Sequence, residues 1–159
     1  MDLALRWPVK YRLDSRGLTL IELVITLAII ATLTAIAVGI YGNVTERSKV
    51  AKAIADLRIM DGEIAAFEGE NGRLPADLAE IRHGSLRDPW GNPYQFLDFS
   101  TSSPGARRKD RFLVPLNSTY DLYSMGKDGA SSPPLTASAS RDDVVRANDG
   151  GFFGLASTY

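Results

Sequence analysis

Glu22 is the one charged residue in an apolar run from Leu18 to Ile40. A helix of that length spans the hydrocarbon core of a bilayer, which needs about 20 apolar residues. A carboxylate is costly in such a medium unless it is paired, and a lone ionisable group in a membrane helix usually marks function. The sequence therefore predicts a transmembrane helix in which Glu22 binds a cationic partner.

A candidate processing site lies just before this run, where polar sequence gives way to apolar sequence at Arg16–Gly17. A protease that cut at this boundary would remove a basic leader and leave the membrane helix on the mature chain. The basic excess of the leader predicts that this end stays in the cytoplasm and that residues after Ile40 lie across the membrane. That excess comes from Arg6, Lys10, Arg12 and Arg16 against Asp2 and Asp14.

An amphipathic helix is predicted to follow the membrane segment. Its apolar stripe recurs every three or four residues and consists of Val50, Ile54, Leu57, Met60, Ile64 and Phe67. We expect the helix to end between Glu68 and Gly72, where "EGENGRLP" supplies glycines, an asparagine and a proline. The predicted organisation is leader 1–17, transmembrane and assembly helix 18–42, amphipathic half 43–72, and a β domain with a C-terminal loop, 73–159.

The β domain is predicted from three short aromatic-rich runs, "PYQFLDF", "DRFLVPL" and "TYDLYSM", separated by Gly, Pro, Ser and Asn. A three- or four-stranded antiparallel sheet packed on the helix stripe makes the fold class α+β. "SSPGARRKDR" is interpreted as a solvated hairpin tip. The aromatic residues expected in the core are Trp90, Tyr94, Phe96, Phe112, Tyr120 and Tyr123.

Composition excludes several kinds of site. The 18 Lys and Arg residues against 19 Asp and Glu give a net charge of -1, so charge gives no reason to expect a nucleic-acid partner. The absence of cysteine excludes disulfides, thiolate metal sites and cysteine nucleophiles. The single histidine, His83, argues against multi-histidine metal sites and is expected to be an exposed loop residue.

A polar loop, Gly126 to Asp149, carries acidic residues near both ends: Asp128, Asp142, Asp143 and Asp149. Calcium takes six to eight oxygen ligands and suits irregular loops, although the spacing of an EF-hand is missing. The residues alone leave two alternatives, solvated loop acids and a calcium site, and favour the first.

"RGLTLIELV", from Arg16 to Val24, resembles the type III signal of prepilins and pseudopilins. "LRDPWGNPYQF" and "YDLYSMGKDG" are similar to two segments of the major pseudopilins of type II secretion systems. The resemblance implies that a prepilin peptidase cuts between Gly17 and Leu18, and that the new Leu18 amine is methylated. That ammonium would lie one helical turn from Glu22, and a neighbouring subunit's ammonium is the alternative partner. Gly39 stands where the family often has proline, so we expect a straight helix in the free subunit.

The function implied by the resemblance is structural, not enzymatic. Subunits would polymerise through their N-terminal helices into a periplasmic filament that drives export of folded proteins across the outer membrane. The implied partners are other copies of the chain, minor pseudopilins, an inner-membrane assembly platform, prepilin peptidase and the membrane itself. The alternatives are a type IV pilin that forms surface fibres and a membrane-tethered binding or enzymatic domain; the missing cysteines and "DPWGNPY" favour the pseudopilin.

The resemblance also implies calcium as a cofactor of the C-terminal loop. Matching the family's motif places carboxylate ligands at Asp128, Asp142 and Asp143. Backbone carbonyl ligands would come from Met125, Ser140 and Arg146. The stretch between Asp128 and Asp142 is lengthened by "ASSPPLTASAS".

Overall fold

The computed structural model describes residues 17–159, so the predicted leader up to Arg16 lies outside the described residues. The chain divides into two compact units, Met1–Gly42 and Asn43–Tyr159. One helix, α1 (Leu20–Asn71), supplies residues to both units. It is continuous through Gly39.

The end of α1 follows from local chemistry. Gly72 has φ 68°, a left-handed conformation that glycine adopts without steric cost. Its N–H donates to the carbonyl of Glu68 at 2.8 Å, and the Asn71 side chain donates to the carbonyl of Phe67 at 2.9 Å. The first bond satisfies one of the last four carbonyls of the helix, which have no partner inside it, and the second adds a donor to the preceding carbonyl. The predicted helix end at residues 68–72 is confirmed.

Four antiparallel strands follow in the second unit: β1 (Gln95–Asp98), β2 (Tyr120–Ser124), β3 (Val144–Ala147) and β4 (Phe152–Leu155). They pair in chain order. The register places Phe96 opposite Leu122, and Val145 opposite both Tyr123 and Gly154. The predicted α+β class with a small antiparallel sheet is confirmed.

The main core lies between one face of this sheet and the amphipathic half of α1. Leu57, Met60 and Ile64 are fully buried there, and Val50, Ile54 and Phe67 pack half-buried at its edge. The sheet contributes Tyr120, Leu122 and Val144, with Tyr94 beside them. A second cluster contains Leu116, Leu135, Val145, Ala147 and Ala156. The apolar stripe predicted from the sequence of the helix is therefore the face that packs in the core.

The prediction of a strand at "DRFLVPL" is wrong, and so is the placement of Phe112 in the core. Phe112 is 70% exposed. Asp110 caps a tight turn: its Oδ1 accepts the N–H groups of Phe112 and Val114 at 2.8 and 2.9 Å. Leu113 takes a φ of 62° within that turn. An aspartate that bonds the backbone ahead of it favours a turn over a strand, whatever the apolar content of the next residues.

Two strands lie where no strand was predicted. β3 falls inside the region read as a polar loop, and β4 follows it. All four residues of β3 are buried, although one of them is Arg146. A four-residue strand buried on both faces does not alternate polar and apolar residues, so the pattern that identifies half-buried strands misses it.

Two side chains expected in solvent are not fully exposed. "SSPGARRKDR" is not a solvated hairpin tip, because Arg108 is only 2% exposed. His83 is half-buried, and its Nε2 lies 2.7 Å from Oε2 of Glu63. Each of these residues contacts a carboxylate that is distant in sequence, Asp143 for Arg108 and Glu63 for His83. Local composition does not reveal such contacts.

We expect Ile64→Ala to lower the free energy of unfolding by about 2–5 kcal/mol, because it empties a fully buried site in the core. Ile59→Ala is the matched control, since Ile59 lies on the same helix and is 55% exposed. Denaturant unfolding can be followed by the fluorescence of Trp90, the only tryptophan after the leader. Equal losses for the two variants would contradict the placement of the core.

Candidate functional site

The start of α1 is built by Thr19 and Glu22. The N–H and Oγ1 of Thr19 donate to Oε2 of Glu22 at 3.0 and 2.8 Å, and the N–H of Glu22 donates to Oγ1 of Thr19 at 3.3 Å. This is a capping box, in which a threonine and a glutamate three residues later satisfy free N–H groups at a helix start. The carboxylate of Glu22 is thus held against the backbone of the residue that follows Leu18.

The sequence analysis treated Glu22 only as half of an ion pair and did not identify the cap. The signal was present as Thr-x-x-Glu at the start of an apolar run. The helix dipole adds to the effect, because its positive end favours a carboxylate in the first turn. Glu22 therefore already has hydrogen-bond donors in the single chain.

Gly17 and Leu18, the predicted cleavage pair, precede α1 in non-helical backbone. Leu18 is 74% exposed. A Cβ built on Gly17 meets no atom of the described residues within 4 Å. Residues 17–159 therefore give no steric reason for glycine at this position, and a protein that binds the segment could supply one.

The first unit presents an apolar surface in which polar groups are satisfied inside the helix. Thr26 donates its hydroxyl to the carbonyl of Leu23 at 2.9 Å, and Thr34 donates to that of Ile30 at 2.7 Å. Large side chains more than half exposed include Leu20, Ile21, Leu23, Val24, Ile25, Leu27, Ile29, Ile30, Leu33, Ile36 and Val38. Exposed apolar surface with internally paired polar groups suits a bilayer or a helix partner, and α1 is long and apolar enough to cross a membrane.

The two segments that carry the resemblance in the second unit bind each other. Oδ1 of Asp88 accepts the N–H groups of Trp90 and Asn92 at 3.0 and 2.8 Å, which closes a turn. Oδ2 of Asp88 accepts the hydroxyl of Ser124, and the Asn92 side chain donates to the carbonyl of Gly126 at 2.8 Å. The "DPWGNPY" segment therefore fixes the end of β2.

The same turn is joined to α1. The Trp90 indole N–H donates to Oε2 of Glu46 at 3.1 Å, and the Tyr94 hydroxyl donates to Oδ2 of Asp56 at 2.8 Å. Burial and the neighbouring Asp56 carboxylate raise the pKa of Tyr94, which keeps its hydroxyl protonated as a donor. The segment is a structural junction between helix, sheet and C-terminal loop.

Two of the predicted calcium ligands meet at one turn. Oδ2 of Asp142 accepts the N–H groups of Lys127 and Asp128 at 2.8 and 3.0 Å. Oδ1 of Asp128 accepts the N–H of Ala130 at 2.8 Å. Each of these carboxylates therefore stabilises loop backbone.

The third predicted carboxylate, Asp143, has a different environment. It is fully buried. Its Oδ2 accepts hydrogen bonds from the Arg108 guanidinium and from the Ser131 hydroxyl, the latter at 2.7 Å. Burial raises the pKa of Asp143, and these two hydrogen bonds oppose that rise. A cationic side chain thus already pairs with Oδ2 of this carboxylate, while Oδ1 is buried without a hydrogen-bond partner among the described residues.

The predicted calcium set does not fit an ion as the chain is folded. The Arg146 carbonyl accepts the Asn117 side chain at 3.0 Å, and the Ser140 carbonyl accepts the Asp143 N–H at 3.3 Å. Within residues 17–159, no three or more Asp, Glu, His or Cys side chains are grouped to hold a metal. Calcium binding stays a prediction.

Comparison with known proteins bears on both units. The family model "Prokaryotic N-terminal methylation motif" matches residues 12–38. A type II secretion system core protein G of Pseudomonas aeruginosa is 26% identical over 139 residues, covering 74% of this chain and 87% of that protein. Proteins of the same name from Aeromonas hydrophila and Klebsiella pneumoniae are 27% and 28% identical, covering 71% and 72% of this chain and 83% and 86% of their own lengths. The motif and these similarities support a type IV pilin-like pseudopilin. No solved structure gives a match.

This similarity accounts for the architecture. The matched proteins are named as components of a secretion system, and a structural, non-enzymatic protein fits that family. The apolar half of α1 is long and apolar enough to fit a membrane-anchored protein. The matched motif covers Gly17, Leu18 and Glu22, which places the predicted processing pair and the capped glutamate within one signal.

Proposed function

We propose that this chain is a pseudopilin, a structural subunit of the type II secretion pseudopilus, and polymerises through the apolar half of α1. One observation carries the proposal: an apolar run of membrane length, Leu18 to Ile40, whose only charge, Glu22, is held at the start of α1 next to the Gly17–Leu18 pair. The relatives named as type II secretion proteins support the assignment to this system.

Processing would prepare the subunit for assembly. Cleavage between Gly17 and Leu18 creates an ammonium one residue from Thr19, whose N–H and hydroxyl both contact Glu22. The carboxylate can accept that ammonium from its own chain or exchange it for a neighbour's when helices dock. In a low-dielectric bundle an unpaired charge is much costlier than a paired one, so pairing selects a helix register.

Assembly would move the helix from lipid into a protein bundle. The large exposed side chains between Leu20 and Val38 lie against acyl chains before assembly and against neighbouring helices after it. The basic leader orients the precursor with its N-terminus in the cytoplasm and the unit Asn43–Tyr159 in the periplasm. Prepilin peptidase, minor pseudopilins and an inner-membrane platform are the partners that this route requires.

Deletion of the gene tests the assignment when secretion and surface fibres are scored in the same strain. We expect loss of exoprotein from the medium with surface fibres intact, and recovery when the wild-type gene is supplied. Loss of surface fibres with secretion intact would assign the chain to a pilus and overturn the proposal.

A further inference from the structure

Arg108 is a buried arginine in a segment with the composition of a solvated loop. Its side chain is 3% exposed. The guanidinium donates to Oγ of Ser131, to the carbonyl of Ser132 and to Oδ2 of Asp143. It also lies over the ring of Tyr123, 4.5 Å from the centroid. One side chain therefore joins the start of the long C-terminal loop, its end, and the sheet.

The backbone around Arg108 is fixed to the same elements. Its N–H donates to Oδ2 of Asp121 at 2.6 Å, and its carbonyl accepts the N–H of Leu116 at 3.0 Å. The backbone of the next residue, Lys109, makes two more bonds. Its N–H donates to the carbonyl of Pro133 at 2.8 Å, and its carbonyl accepts the N–H of Leu135 at 2.9 Å. These backbone hydrogen bonds of Arg108 and Lys109 fix the position from which the guanidinium extends into the domain.

The partners of this guanidinium are a carboxylate, a backbone carbonyl and a hydroxyl. These are oxygen ligands of the kind that a calcium ion would collect from a loop. Arginine offers five N–H donors in a rigid planar fork and keeps its positive charge at all accessible pH. The guanidinium pairs with Oδ2 of Asp143, so a calcium ion on Oδ1 would share one buried carboxylate with it, and two neighbouring cations repel each other.

We propose that the Arg108 guanidinium takes the place of a metal ion in this domain. It connects the two ends of the loop from Gly126 to Asp149, a role that a metal ion would otherwise fill. The folded domain is then independent of calcium. The inference concerns the stability of the unit Asn43–Tyr159 and stands whether or not the chain assembles into a secretion filament.

The first test compares the melting temperature of the full-length chain in detergent with added calcium and with a chelator, followed by tryptophan fluorescence. Binding only to the folded state would raise the melting temperature in calcium. The proposal predicts the same melting temperature in both. A clear fall in chelator would overturn it, and this result needs no variant that might fail to fold.

The second test removes the guanidinium. Arg108→Gln leaves Asp143 buried without its cation, and we expect a melting temperature lower by roughly 10–25 °C in calcium and in chelator alike. Arg111→Gln is the matched control, because Arg111 lies in the same segment and is exposed. A loss no larger than that of the control would overturn the proposal.

A double variant separates charge pairing from general damage. We expect Arg108→Gln with Asp143→Asn to recover more than half of the loss, because the second change removes the unpaired carboxylate. A purely additive loss would contradict an ion pair at this site. If Arg108→Gln does not fold, Arg108→Lys provides the comparison. The proposal predicts a melting temperature below that of the wild type but with the domain still folded, since lysine keeps the positive charge and lacks the planar set of guanidinium donors.

Discussion

Glu22→Ala is expected to abolish filament formation while the protein still inserts into the membrane. Alanine increases the apolarity of the helix, so insertion does not suffer. The Leu18 ammonium created by processing would then have no carboxylate to meet inside the bundle. We expect at least about a tenfold lower filament yield at equal protein level, because differences between paired and unpaired buried charges reach or exceed that factor. Yield can be measured by shearing or cross-linking filaments and quantifying subunits.

The matched control for Glu22→Ala is Thr34→Ala. Thr34 lies in the same apolar helix, and its described hydrogen bond is to its own Ile30 carbonyl. We expect near-normal filament yield from this variant. Normal yield from Glu22→Ala as well would show that assembly does not use the pair, and that Glu22 serves only as a helix cap.

Gly17→Leu is expected to block processing and, through it, assembly. A Cβ at this position meets no atom of the described residues within 4 Å, so the change should leave the fold intact. It obstructs only a protease whose backbone approach needs glycine. Intact-mass analysis should find the wild-type chain starting at Leu18 with a methylated amine and the variant retaining its leader. Filament yield should fall with processing.

Gly39→Ala provides the control for Gly17→Leu, because an added Cβ at Gly39 also meets no atom within 4 Å. It lies outside the predicted cleavage pair, and we expect normal processing. If Gly17→Leu is cleaved at the same position and rate as the wild type, the prediction that processing requires this glycine is wrong.

The parts of the fold that the sequence predicts are those governed by local periodicity. The stripe containing Leu57, Met60 and Ile64 is buried as its spacing indicated, since a helix with one apolar face has one way to bury it. β1 and β2 were recognisable from their aromatic content. The end of α1 was readable because Gly72 supplies the left-handed residue that a helix end requires.

The parts that were missed depend on contacts distant in sequence. Nothing near Arg108 indicates that its partner is Asp143, 35 residues away. β3 contains Arg146, whose burial depends on Asp61 of α1 and the Tyr120 ring. Phe112 was misplaced because Asp110 closes a turn that local apolar content does not show. Charge pairing between residues distant in sequence determines the burial of Arg108 and Arg146. Capping of a turn by Asp110 determines the exposure of Phe112.

The candidate assembly site was predictable as a set of residues, and the structure adds how Glu22 is held. The capping box places the carboxylate against Thr19 before any partner arrives. A preorganised acceptor loses less conformational freedom when it binds an ammonium than a free side chain would. The calcium ligands came from the resemblance alone, and Asp143, one of them, is bound to an arginine.

The most direct test is the fraction of a secreted protein that reaches the medium, measured in a strain that lacks this gene. The strain is supplied in turn with the wild-type chain, Thr34→Ala and Glu22→Ala at equal membrane levels. We predict that the first two restore secretion and that Glu22→Ala leaves the exoprotein in the periplasm. Full secretion with Glu22→Ala, or no dependence of secretion on the gene at all, would contradict the role in a secretion filament built by this helix.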